Sequence, residues 1–228
     1  MCFKLQESRI AVVSSTAAAT LRQLVMFVVD KMVAEDRVTE HDELQHSQLI
    51  EVHLPDGSTK ELYPSSMDAF SVFEDLCLLA NSEKPHFLNL EFLHKTFALE
   101  LIESVLTNYY ELFRKVRHSF SWLIGSSCRT QRSELILLLR HHLCPLLLKS
   151  LSDRPQFSLS LRCTRVVFLL LKQFSLELRT ESEVFLTVII RIIAGESTSA
   201  PGDHEAYQGS HVSRPHWLRV LAVEIMRG

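Results

Sequence analysis

The densest group of reactive side chains is His141-His142-x-Cys144, set within the apolar run ELILLLRHHLCPLLLKSL (134–151). Imidazole and thiolate are ligands zinc prefers, but a structural site closes with four of them in a tetrahedron. Adjacent residues on a helix project about 100° apart, and no second ligand pair stands at zinc spacing. The group therefore reads as exposed or interhelical histidines, and no metal is expected. Gly125-Ser126-Ser127-Cys128 offers hydroxyls and a thiol on a glycine loop, yet it lacks the G-x-S-x-G elbow that presents a nucleophile. The phosphate-cradling, dinucleotide and H-E-x-x-H motifs do not occur. No catalytic residue, no cofactor-binding residue and no metal ligand is assigned. An enzyme needs acids or bases converging in a pocket, and no such convergence is spelled here.

Three further groups suit contact rather than chemistry. Tyr109 and Tyr110, with Phe113, make either an exposed patch or core, and their place on an apolar stripe favours core. Trp217 follows Pro215 in an amphipathic segment, where it would anchor an interface or be covered by another helix. Residues 35–51 are acidic and read as a solvated connector or a surface for a basic partner.

The bulk numbers narrow the classes. The net charge of −3 and pI near 6.4, with basic residues dispersed, leave no footprint for a nucleic acid. Hydrophobic residues at 46% of 228 supply a substantial core. Five scattered cysteines without C-x-x-C behave as small hydrophobes of a reducing compartment. MCFKLQESRI is no secretory signal, and uninterrupted apolar runs reach five or six residues, against ~20 for a bilayer span. The expectation is a cytoplasmic protein, or one on a membrane's cytosolic side, with no transmembrane segment.

The elements follow from periodicity. Leu21, Leu24, Val25, Val28, Met32 and Val33 predict a helix over 15–34, capped by Ser14, Ser15 or Thr16. Residues 50–63 alternate about Pro55-Asp56-Gly57-Ser58 and predict one hairpin. Ser65 or Ser66 opens a helix to about 81, with Ser65 and Asp68 at capping-box spacing. Asn89 then opens a helix over 90–114, whose broad stripe of Leu93, Phe97, Leu101, Val105, Tyr109 and Leu112 asks for neighbours on two sides. Helical periodicity resumes at Ser133, with Pro145 predicting a kink near His141. Further helices are expected over 158–178 and 182–194, the latter ended by Gly195, and a last one after Pro215. Residues 195–214 read as a flexible loop. About seven helices and one hairpin give an all-α, armadillo/HEAT-like α-solenoid.

Two stretches carry a family likeness. STAAATLRQLVMFVVDKMV (15–33) resembles a late helix of the dimerisation and cyclophilin-binding domain of the large Arf guanine-nucleotide exchange factors and their non-catalytic, Mon-two-like relatives. FALELIESVLTNYYELFRK (97–115), with LRHHLCPLLLKSLSD (139–153) and RPHWLRVLAVEIMRG (214–228), resembles the start of the helical domain upstream of the exchange domain. The resemblance implies two domain portions, 1–85 and 86–228, in a fragment of a larger peripheral membrane protein. It implies an armadillo-like scaffold in Golgi–endosome vesicle-mediated protein transport, sitting on those membranes through partners. The implied partners are an Arf-like small GTPase, trafficking scaffold proteins and a second copy of the chain. The alternatives are the regulatory region of a catalytic Arf exchange factor and a generic helical-repeat binding module. The matched phrases are interrupted by VRHSFSWLIGSSCRTQ (116–131), whose end residues permit the boundary letters of an intron. A translated intron and a lineage-specific loop both remain open. The faces bearing Leu21 and Trp217 are expected to expose apolar surface.

Overall fold

The computed structural model describes residues 2–6, 8–41, 49–90, 93–113, 132–153, 156–195 and 215–227. These form helices and one small hairpin, the all-α, solenoid-like class expected. The chain divides into two compact units, Met1–Leu143 and Cys144–Gly228.

The first unit holds α1 (Cys2–Gln6), α2 (Ala11–His41), β1 (Ile50–His53), β2 (Thr59–Leu62), α3 (Pro64–Ala80), α4 (Lys95–Asn108), α5 (Tyr110–Phe113), α6 (Ser133–Leu138) and a π turn, Leu139–Leu143. α2 packs on α1, α3 and α4, and α3 also meets α4, α6 and the π turn. Leu21 and Met32 of α2, Phe70 and Leu76 of α3, and Leu99, Leu101 and Ile102 of α4 are fully buried. The strands pair antiparallel with Ile50 opposite Leu62 and His53 opposite Thr59. Asp56 closes the turn by accepting from the Ser58 amide at 3.0 Å and its hydroxyl at 2.6 Å, and Gly57 supplies the positive φ of 83°.

The second unit holds α7 (Cys144–Ser152), α8 (Phe157–Gln173), α9 (Arg179–Ala194) and α10 (His216–Arg227). α8 packs on α7, α9 and α10, and α9 on α7 and α10. Val166, Val167, Leu170, Phe174, Phe185 and Ile189 form its core. Gly195 ends α9 in the left-handed conformation at φ 79°, as its position predicts.

Three expectations are corrected, and a fourth, the break near His141, takes a definite form. α2 begins at Ala11 and runs to His41, so Ser14, Ser15 and Thr16 lie inside it and the supposed connector starts as helix. It continues because Glu35 and Asp36 bond to side chains and amides of other elements. The helix predicted over 90–114 starts at Lys95 behind His94 and breaks at Tyr109. The amides before it are taken instead by Asp75: its carboxylate accepts from His86 at 2.7 Å, Phe87 at 2.9 Å and Leu88. α3 has Pro64 in its first turn and no cap from its own side chains; Glu35 caps it from α2, accepting the Ser65 and Ser66 amides at 3.0 Å each. The break expected near His141 is a π turn directly before Cys144-Pro145. Pro145 has no N–H for the His141 carbonyl, and widening one turn reassigns the neighbouring bonds.

Two helical stretches, Ala11–Val38 and Ser133–Ser152, are long and apolar enough to cross a bilayer by length and composition. Counting uninterrupted runs missed them because single polar residues punctuate both. A buried core helix passes the same test, and half of the Ser133–Ser152 window is buried. α2 moreover carries Arg22, Asp30, Glu35 and Asp36, each bonded to another element.

Candidate interaction surface

The polar residues of the first unit converge on seams between helices. Arg132, 7% exposed, is the centre of one seam. Its guanidinium pairs with Asp36 of α2, lies 3.2 Å from Glu134 of α6 and donates to the Ser66 hydroxyl at 2.9 Å. Glu134 is itself buried and takes Lys60 of β2 at 2.6 Å. Burial pushes the Asp36 carboxyl up, and the Arg132 charge pulls it back toward the ionised form. A second seam joins α2 to α4 and its end: Arg22 pairs with Glu100, and the Tyr109 hydroxyl donates to Asp30 at 2.6 Å. Burial and the Asp30 carboxylate hold the Tyr109 phenol well above its ordinary range. These arrangements fix helices against each other; none surrounds a vacant site for a reacting group.

The reactive residues singled out from sequence do not come together as chemistry. His141 is exposed and His142 half-buried on the π turn, while Cys144 is buried. His142 Nε2 lies 3.8 Å from Glu74 Oε1 of α3. Desolvation lowers the His142 pKa, opposed by Glu83 and reinforced by His141 and His86. Desolvation raises that of Glu74, with His86 opposing and Asp75 reinforcing. Among the described residues, no three His, Cys, Asp or Glu side chains are placed to hold a metal ion. Gly125–Cys128 and the interrupting segment 116–131 lie outside the described residues, as do 42–48 of the acidic stretch and 196–214 of the loop. A cleft of about 530 Å³ after α3 is lined by Leu79, Leu90 and Leu93 and by Ser82, Glu83 and Lys84, without converging acid–base groups.

The aromatic groups split between core and surface. Phe113 is fully buried, its ring 5.9 Å from that of Phe73, so it belongs to the core rather than a patch. Tyr110 stays half-buried beside Glu111. Trp217 stacks edge-on against Phe157 at 5.2 Å within the second unit. Leu21 is buried, contrary to the expected exposed face; the outward residues of α2 are Leu24, Phe27 and Val38, 48–55% exposed. Further outward apolar rows run along α9 (Leu186, Ile190, Ile193) and α10 (Val220, Val223, Met226). Polar seams thus lie between the helices of the first unit, and apolar rows face outward on α2, α9 and α10.

What sequence reasoning missed is the polar half of this design. Asp75 sits in the apolar phrase FSVFEDLCLLA and Arg132 directly before Ser133. An acid isolated in a core stripe was the available signal for the first. The second had little, because apart from Glu134 two residues on, its partners Ser66 and Asp36 lie 66 and 96 residues away.

The described helices define an all-α, solenoid-like fold. The chain is a member of the Mon2/Sec7/BIG1-like family: residues 65–228 match its HUS domain, and residues 1–36 match its dimerisation and cyclophilin-binding domain. It is 30% identical to Protein MON2 homolog of Homo sapiens over 98% of the chain, and 30% identical to that of Schizosaccharomyces pombe over 100%. Protein MON2 of Saccharomyces cerevisiae is 27% identical over 95% of the chain. The chain spans only 11–12% of the length of these relatives. The two matched domains meet inside the first unit, where α2 is joined to α3, α4 and α6 by the seams above.

Proposed function

We propose that this chain is a non-enzymatic scaffold segment in Golgi–endosome vesicle-mediated transport, held on those membranes from the cytosolic side by protein partners. An Arf-like small GTPase, a further trafficking scaffold and a second copy of the chain are the partners proposed. The observation that carries the reading is the pairing of a family match over most of the chain with outward apolar rows on α2, α9 and α10. The matched dimerisation and cyclophilin-binding domain supports self-association and protein partners in particular.

Two measurements test it. A fluorescently tagged chain should co-localise with Golgi or endosome markers, and a diffuse distribution would sink the recruitment. The purified chain, mixed with Arf-type GTPases carrying a fluorescent GDP analogue, should leave release at its spontaneous rate. Accelerated release would replace the scaffold reading with an exchange activity. The family also includes Sec7- and BIG1-like members, so the regulatory region of a catalytic Arf exchange factor is the second reading. It predicts an exchange domain in the same polypeptide.

A further inference from the structure

The outward face of α8 combines aromatic side chains and cations on a helix without acids, whereas α2, where Lys31 lies 5.0 Å over the exposed Phe27 ring, also carries Asp30, Glu35 and Asp36. Phe157, Leu161, Arg165, Phe168 and Lys172 recur at steps of four, four, three and four, so they share one side of the helix. Leu169 and Arg162 border that side. Phe157 is 57% exposed, Arg165 and Lys172 are exposed, and Leu161, Arg162, Phe168 and Leu169 are half-buried. The sequence of α8, FSLSLRCTRVVFLLLKQ, has three cations and no acid. Lys172 lies 5.0 Å over the Phe168 ring, which keeps its ammonium on the same side as the aromatic row. At the N-terminal end Trp217 adds its indole edge to Phe157.

We infer that this face of α8 is a direct contact for an anionic lipid surface. The aromatic and leucine side chains would enter the boundary between headgroups and acyl chains, and the cations would meet the lipid phosphates. Helices that lie in that plane have this composition: large apolar residues beside Lys and Arg on one face. Aromatic rings and long basic stems suit a zone that is apolar at one depth and wet at the next. The geometry favours a plane over a partner helix. A docked helix needs a groove with two walls, whereas these residues form the ridge of a single helix. The described acids of the unit lie off α8: Asp153 is exposed in the turn after α7, Glu177 lies in the turn after α8, Glu181 and Glu183 on α9, and Glu224 on α10 beside Arg227. This contact goes beyond recruitment through partners and is tested without them.

The test is co-sedimentation of the whole chain with vesicles containing no protein. Phosphatidylcholine vesicles are compared with vesicles in which about a third of the lipid is phosphatidylserine. The chain should pellet with the anionic vesicles and remain in solution with the neutral ones, and raised salt should release it. The double variant Arg165→Gln/Lys172→Gln should lower partitioning roughly thirtyfold, about fivefold per cation. Phe157→Ser/Phe168→Ser should lower it as well, while Lys84→Gln in the first unit should leave it unchanged. Circular dichroism checks that each variant is folded, above all Phe157→Ser/Phe168→Ser, because Phe168 is half-buried. Equal pelleting with neutral vesicles, an unaffected Arg165/Lys172 variant, or an equal loss in Lys84→Gln would each overturn the inference. So would failure to pellet accompanied by binding to polyglutamate, which would reassign the ridge to an acidic protein. A negative result here leaves recruitment by a GTPase standing, because none is present in the assay.

Discussion

The two units of this chain solve the same packing problem with different chemistry. The first buries charge: Asp75, Arg132 and Glu134 lie within its core together with Ser66. In the second, the fully buried polar residues among the described ones are Ser160, Thr164 and Ser182, while single side-chain oxygens of Gln173, Glu177 and Glu181 are also shielded from solvent. Thr164 bonds back to the Ser160 carbonyl of its own helix at 2.7 Å and so ties nothing to a neighbour. Residues 1–143 carry 19 acids against 14 bases, and residues 144–228 carry 8 against 10. A unit held by directional bonds between helices has its register specified and its point failures concentrated. A unit held chiefly by apolar packing spreads its stability over many contacts.

The largest break in that contrast is Arg132→Ala. It strands Glu134 in the core with only Lys60, and leaves Asp36 without its strongest partner. Removing one member of a buried ionic set typically costs about 3–5 kcal/mol. Urea unfolding should show a lowered midpoint of that size, and a loss under ~1 kcal/mol would mean the seam is ornamental. Asp75→Ala comes next. Three amides, of His86, Phe87 and Leu88, lose a shared charged acceptor. A cost of about 2–4 kcal/mol is expected, with amide exchange speeding up first at 86–88.

The apolar half of the fold was readable in the sequence because it is periodic. Leu21, Val25 and Met32 mark one face of α2, and Phe70, Phe73 and Leu76 one face of α3, at spacings that only a helix satisfies. The hairpin was equally readable, since Asp56 and Gly57 act on residues two and three positions away. What stayed hidden acts over long separations. Glu35 caps a helix 30 residues on, and nothing in its neighbourhood distinguishes it from a solvated acid. The same difference explains the misplaced ends: Asn89 is a good cap by type, but Asp75 holds the backbone just before it at 86–88, and the helix opens only at Lys95. The outward apolar rows were legible only as a class. Sequence supplied the stripes, while the choice between Leu21 inward and Leu24 with Phe27 outward was made by packing against α3 and α4.

Two smaller effects sharpen the comparison from the other side. Thr164→Val in the second unit removes a hydroxyl whose bond stays within one turn, so stability should change by less than about 1 kcal/mol. A loss as large as that of Asp75→Ala would mean the second unit also depends on buried polar groups. Deleting residues 116–131 should be similarly mild. The Arg132 amide donates to the Leu112 carbonyl at 3.3 Å, so the flanks already meet, and Phe113, Arg114 and Lys115 suffice to join them. Shortening a loop changes closure entropy by well under ~1 kcal/mol per halving. The melting temperature should move by only a few degrees, which would make a spliced chain as foldable as this one. Transcripts joining Lys115 directly to Arg132 would then show which chain is made.

The smallest effect expected is on pH dependence, and it too should separate the units. His142 faces Glu74 and Glu83 from α3 and the loop after it, with His86 and His141 also near. Desolvation lowers its folded pKa below 6.5, so the unfolded chain takes up the proton first. Stability is therefore greatest above about pH 6.5 and falls as pH drops toward the lowered folded value. His142→Gln carries no titrating ring, so the loss of melting temperature between about pH 7.5 and 5.5 should shrink. Glu74 works in the opposite sense. Its folded pKa is raised, so its contribution is present below 4.5 and fades as pH rises through the raised value. Glu74→Gln should consequently steepen the acid loss rather than relieve it. Two variants three to four ångströms apart moving the slope in opposite directions is a signature that general acid unfolding of either unit would not produce. If both variants shift the curve alike, the first unit's sensitivity to pH lies in the Arg132 seam instead.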